Sequence, residues 1–214
     1  MKVTKFQHAC LSIEKDTTTI LIDPGVFTRD LILPKRLQAV VITHDHSDHF
    51  DEKLMQRIIT EHPTITIYAH ESITGRFTDT QTVTIHPGET YAVGSLSLQF
   101  FGGTHAPITD GVTTPPNYGV FVDGTLYYPG DSFVLPSSLP LEVLALPVSA
   151  PWLRLDDSLS ILKIARPKIV FPTHDAILST DGKTIVDRLA AAAANAIDAQ
   201  YKRLDGSSLY IPSS

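Results

Sequence analysis

The hexapeptide His44-Asp45-His46-Ser47-Asp48-His49 puts three imidazoles and two carboxylates into one short stretch of chain. Neutral imidazole nitrogens and carboxylate oxygens in close succession are the donor mixture that borderline divalent cations bind. The stretch follows directly on the apolar run Ala39-Val40-Val41-Ile42-Thr43, which reads as a strand buried on both faces. A turn that merely opens a helix needs a capping carboxylate, from Asp48 or Asp51, and no histidine. The pattern points to a metal site.

Three further positions repeat the arrangement. His105 comes after the strand-like run ending at Phe101-Gly102-Gly103. Asp131 follows Leu126-Tyr127-Tyr128-Pro129-Gly130, and His174 follows Ile169-Val170-Phe171-Pro172-Thr173. Each metal-capable side chain stands just past a strand, where sheet proteins bring loops from several strands together. Asp23 ends another such run before Pro24-Gly25. It suits either a turn-initiating role or a carboxylate that accepts the N–H of a ligating imidazole.

The intervening pattern supplies the scaffold. Lys2 to Phe6, Ala9 to Glu14 and Thr17 to Ile22 are predicted as successive antiparallel strands. A helix is predicted over Asp51 to Thr60, with Leu54, Met55, Ile58 and Ile59 on one side. Thr64 to Ala69 returns to strand. Thr82 to Ile85 and Ser95 to Phe101 flank a Pro87-Gly88-Glu89 turn, which places His86 in a hairpin. Tyr118 to Val122 and Thr125 to Tyr128 flank Asp123-Gly124, a type I′ hairpin signal. Val143 to Leu146 and Lys168 to Phe171 are buried strands separated by a helix over Ser158 to Ala165. A final alanine-rich helix is predicted from Lys183 to Leu204, stopped by Asp205-Gly206. Strands with helices interleaved in two similar halves imply two packed sheets covered by helices, in one domain over residues 1–214.

Composition narrows the function classes. Seventeen Lys plus Arg against 23 Asp plus Glu give a net charge of -6, with no basic cluster, which argues against a nucleic-acid partner. The single cysteine, Cys10, lies in an apolar segment and reads as a buried, inert thiol. No signal-peptide core or stretch of membrane-spanning length is present, so a soluble cytoplasmic protein without membrane insertion is expected, with homo-oligomerisation left open.

On His44-x-His46-x-Asp48-His49, His105, Asp131 and His174, in that order and with Asp23, the chain resembles the metallo-β-lactamase superfamily. Gln7-His8-Ala9, His105-Ala106-Pro107 and Pro172-Thr173-His174-Asp175 are most similar to its small single-domain hydrolases. Those include proteins like ascorbate-6-phosphate lactonase and the phospholipase-D-like hydrolases of N-acyl ethanolamine phospholipids. The resemblance implies an α/β fold, a four-layer αββα sandwich with the metal site at one edge of the sheets. It implies that His44, His46 and His105 hold one divalent ion, that Asp48, His49 and His174 hold a second, and that Asp131 bridges them. Gln7 departs from the glycine expected before His8.

Two such ions, zinc first and manganese or iron also compatible, would generate hydroxide near neutral pH and attack a small anionic ester, lactone or phosphodiester. Asp48 and His8 are the catalytic candidates, and Asp48, Asp131 or His8 could pass a proton to the leaving group. His70, Trp152 and Arg154 are candidates for a substrate pocket; packing and an ion pair with Asp156 or Asp157 would equally explain the last two. His62, before Pro63, reads as a helix C-cap. Two other readings remain: an iron-dependent sulfur or oxygen oxidoreductase of the same fold, and a non-catalytic metal-binding protein. Flavin-partnered di-iron members carry Glu where this chain has His46, single-iron members lack a second ligand set, and a non-catalytic protein would show a broken one.

Overall fold

The computed structural model describes residues 1–29 and 31–212. The first half of the chain forms β1 (Lys2–Lys5), β2 (Leu11–Lys15), β3 (Thr18–Ile22), β4 (Leu37–Val41), β5 (Thr66–Ala69) and β6 (Gln81–Thr84), with helices α1 (Glu52–Glu61) and α2 (Glu71–Thr74). The second half forms β7 (Thr90–Val93), β8 (Leu96–Gly102), β9 (Tyr118–Val122), β10 (Leu126–Tyr128), β11 (Val143–Pro147), β12 (Ile169–Thr173) and β13 (Gln200–Tyr201). Its helices are α3 (Leu155–Ala165) and α4 (Thr180–Asn195), and β14 (Ser208–Tyr210) returns to the first sheet. The two seven-stranded sheets run β14-β1-β2-β3-β4-β5-β6 and β13-β12-β11-β10-β9-β8-β7.

Alternation along the strands explains the layering. In β3, Ile20 and Ile22 enter the cluster between the sheets, with Leu98, Phe100, Val120 and Phe171, while Leu21 faces the other way. On that outer side α1 lays Leu54, Met55 and Ile58 over Leu21, Val40, Ile42 and Ile67. The second sheet does the same: Leu126 and Tyr128 point inward, Tyr127 outward, and α3 and α4 cover the outer face with Ile161, Leu162, Val186 and Ala194. Both sheets are therefore covered twice, which is why β3, β9 and β11 are buried at every position. The result is the expected αββα sandwich.

Strand direction carries the chemistry to one edge. β3 to β6 are parallel, and β1 runs with β3 because β2 is antiparallel to both. In the second sheet β8 and β10 are both antiparallel to β9, and β11 to β13 are parallel to β10. Asp23, the hexapeptide, His105, Asp131 and His174 thus all follow the carboxyl ends of strands that point the same way within their sheet, and His8 follows β1 likewise.

Several local expectations hold. Asp123 and Gly124 both take positive φ, 52° and 58°, as a type I′ turn demands. Asp51 is the N-cap of α1, accepting from Lys53 N at 2.9 Å, and His62 is its C-cap. Two expectations fail. Pro87-Gly88 does not join a hairpin: β6 lies in the first sheet and the β7–β8 hairpin in the second, so His86 sits in the crossover between sheets. The last helix stops at Asn195 rather than Leu204, because Asp198 turns the chain with φ 61° and Gln200–Tyr201 pairs with Ile169–Val170. Pairing with β12 overrides the helical propensity of the alanine run.

Candidate metal centre

Two groups of ligand-capable atoms stand side by side at this edge. One comprises His44, His46, His105 and Asp131, the other His8, Asp48, His49 and His174, and within each group the donor atoms all lie within 4.8 Å of one another. Asp131 faces both. Its Oδ2 lies 3.3 Å from His105 Nε2 and 3.1 Å from His174 Nε2, and its Oδ1 lies 3.0 Å from His49 Nε2.

The surrounding hydrogen bonds orient the imidazoles. His174 Nδ1 meets the Ser149 carbonyl at 2.6 Å, and His105 Nδ1 meets the Ala106 carbonyl. His49 Nδ1 lies 2.6 Å from Asp23 Oδ2. Thr43 Oγ1 donates to Asp23 Oδ2 at 2.7 Å, so it accepts from His44 Nδ1 at 3.1 Å. Each acceptor calls for a proton on Nδ1, which leaves the Nε2 lone pair of the neutral ring turned inward, the arrangement found around ligating histidines. His44 Nε2, His105 Nε2 and Asp131 Oδ1 are buried and make no hydrogen bond. Buried polar atoms rarely go unpaired, and these three belong to one group, with Asp131 Oδ1 turned to His49 of the other.

His8 is built differently. Its Nδ1 accepts the backbone N–H of Ala176 at 3.3 Å, so the neutral ring carries its proton on Nε2 and donates to Asp48 Oδ2 at 3.1 Å. His8 is thus a hydrogen-bond donor to Asp48 within the second group of donor atoms. The peptide of His174 donates to the His8 carbonyl at 3.0 Å, locking the two loops together. His8, Asp23 and His174 hold left-handed backbones with φ of 61°, 50° and 62°, a cost of about 1–3 kcal/mol apiece that the surrounding structure must offset.

Charge separates the two groups of imidazoles. Burial, reinforced by neighbouring histidines, keeps His44 and His46 below the usual histidine range. Burial also takes His8 down to about 4, so it stays neutral at pH 7. His49 and His174 move the other way. Burial opposes their charge, but Asp131 prevails, holding His49 well above its ordinary value and raising His174 to about 9. Against the same desolvation, His49 and His174 keep the Asp131 carboxyl well below the carboxylate range, and hydrogen bonds from His174 and His8 do so for Asp48.

Asp23 accepts from Thr43 N, Thr43 Oγ1 and the Tyr128 hydroxyl besides its bond to His49. Sequence reasoning missed Tyr128, whose buried hydroxyl in an apolar strand was the available signal. It also missed Asn117, which accepts from Asp131 N at 2.9 Å and donates to the Pro129 carbonyl at 2.8 Å. Gly130 matters for the same loop: a Cβ there would lie 2.4 Å from Asn117 Oδ1.

The three pocket candidates part company. Trp152 is buried, its Nε1 donates to Asp131 Oδ2 at 2.8 Å, and its ring stands edge-on to His105 and His174. His70 instead caps α2, accepting from Ser72 N, and belongs to neither group. Arg154 is exposed at the start of α3 and forms no ion pair with Asp156 or Asp157.

Residues 2–174 match the family model described as the beta-lactamase superfamily domain. The chain belongs to the metallo-β-lactamase superfamily. It is 29% identical to Rv0786c of Mycobacterium tuberculosis over 190 residues, 86% of this chain and 89% of that protein. It is 23% identical to NEQ378 of Nanoarchaeum equitans, named as a metal-dependent hydrolase of the UPF0173 group, over 81% of this chain and 83% of the relative. Igni18, a metallo hydrolase of Ignicoccus hospitalis, superposes with a TM-score of 0.74 at 19% identity, over 99% of both chains. Among the described residues no helix is long and apolar enough to cross a membrane.

Proposed function

We propose that this superfamily member is a metal-dependent hydrolase acting on a small anionic ester, lactone or phosphodiester, with two divalent ions at its centre. His44, His46 and His105 would hold one ion and Asp48, His49 and His174 the other, with Asp131 shared. The observation that carries the reading is the burial of His44 Nε2, His105 Nε2 and Asp131 Oδ1 without hydrogen-bond partners, at one edge with a second complete donor set. When bound, the ions would supply Lewis acidity, for activating water and polarising a substrate oxygen. Zinc fits the imidazole-rich set best, and manganese or iron share the same donor types.

The chain's own residues do the rest. Asp131 and Asp48 offset the cationic charge. Trp152 holds Asp131 Oδ2, and Asp23 and Ser149 fix the rings of His49 and His174. His8, neutral with its proton on Nε2, donates a hydrogen bond to Asp48 and orients that carboxylate; the backbone N–H of Ala176 on Nδ1 fixes that tautomer.

The test is elemental analysis with a turnover screen of esters, lactones and phosphodiesters. Two ions per chain and activity lost in both His105→Ala and His174→Ala are expected. Saturation at one ion, or wild-type turnover in Asp48→Ala, would overturn the two-ion assignment.

A further inference from the structure

A cavity of about 510 Å³ opens on the far side of His8, within the size range of small-molecule pockets. One wall is the end of β1, from Lys5 to His8. The other comes from Asp175 to Ile177, Lys183 on α4, and the segment holding Phe27 and Arg29. The residue between this cavity and the metal centre is His8: its ring lines the cavity, packs 4.9 Å from Phe27, and donates from Nε2 to Asp48.

The lining sets three cations, Lys5, Arg29 and Lys183, against two carboxylates, Asp175 and Asp205, although the chain as a whole carries a charge of -6. Lys5 is buried and its ammonium is taken up by Asp175 at 3.0 Å. Asp175 is also bound by Arg203, which pairs with Asp205 and Asp187 as well. Lys183 is left 3.5 Å from Asp205 and 3.8 Å from Asp175, with no hydrogen bond of its own. Arg29 has no ion pair among the described residues. Phe6, Phe27 and Ile177 add an apolar lining, and Ile177 is half exposed at the rim. Arg29 and a Lys183 ammonium paired only at 3.5–3.8 Å, beside an apolar wall, are elements that can hold an anionic head on a short hydrocarbon body.

We infer that the cavity beside His8 binds the non-reacting part of the substrate, a short apolar body ending in a carboxylate or phosphate that Arg29 and Lys183 hold. The inference rests on the hydrolase reading only for the identity of the ligand as substrate; the cavity's preference for an anion is independent of turnover.

The full-length, metal-replete protein is titrated calorimetrically with 4-phenylbutyrate, with its neutral amide and with 2-phenylethyl phosphate. At least one anion is expected to bind more tightly than the amide, and the tighter of the two names the head group. Arg29→Gln and Lys183→Gln, at solvent-accessible positions, should each weaken the anion by about 3- to 10-fold, and the double variant should bind anion and amide alike. An anion held by the metals alone would be indifferent to both substitutions. Equal binding of anion and amide by the wild type, or a preference that survives in the double variant, overturns the inference. If instead the preference is found and no ester is turned over with metal, the hydrolase reading fails and the binding site stands.

Discussion

The indole N–H of Trp152 donates to Asp131 Oδ2 at 2.8 Å, fixing the one carboxylate that faces both groups of donors. Trp152→Phe keeps the ring against His105 and His174 and deletes only that bond. Metal affinity or turnover should fall roughly 10–100-fold, as for other groups that orient a ligand. Competition with a chromogenic chelator measures it, and affinity and turnover both unchanged would remove Trp152 from the site.

Asp23→Asn is expected to cost a similar 10–100-fold in metal affinity, because the amide can present its N–H to His49 Nδ1 and reverse the tautomer. Asp23→Ala should also destabilise the fold. It strands the buried donors of Thr43 and Tyr128, at about 1–3 kcal/mol each. Urea unfolding of both variants separates the two effects. Equal stability of Asp23→Ala and wild type would show that the donors find other partners.

Metal affinity should rise with pH. His174 is raised to about 9, so below that pH its imidazole holds a proton that a cation must displace. Affinity therefore increases from pH 6 towards 9, by up to about tenfold per unit for each proton released. Chelator competition across that range, with proton release followed in weak buffer, tests the sign. A flat profile would exclude proton competition at His174.

Gly25→Ala should damage the site from behind. A Cβ at Gly25 would sit 1.9 Å from the Asp48 carbonyl oxygen, so the hexapeptide must move. A loss of about 1–3 kcal/mol in stability is expected, with weaker metal binding. His62→Ala, at a helix C-cap outside both donor groups, should stay within about 0.5 kcal/mol of wild type and keep its metal. Metal loss in His62→Ala would contradict the proposed ligand set.

The donors were legible because their signal is local: a continuous apolar run followed at once by His, Asp or both. His44, His46, Asp48, His49, His105, Asp131 and His174 all stand on the chain just after such a run, and all lie in the two groups. What supports them is not local. Tyr128 reaches Asp23 only across the sandwich, and Asn117 and Ser149 reach Asp131 and His174 only through the pairing of strands distant in sequence within the second sheet. The crossover at Pro87-Gly88 misled for the same reason. The turn residues mark a reversal, but nothing in their chemistry states which sheet the next strand joins.

Each donor group draws on both sheets. His44 and His46 come from the first and His105 and Asp131 from the second; Asp48 and His49 come from the first and His174 from the second. A cation held by either group is a cross-link between the halves of the sandwich, closing long loops of chain as a disulfide would in a protein whose one thiol, Cys10, is buried and has no partner. Chelation should therefore do more than silence chemistry: it should unfasten the two sheets from one another along the edge that carries both donor groups.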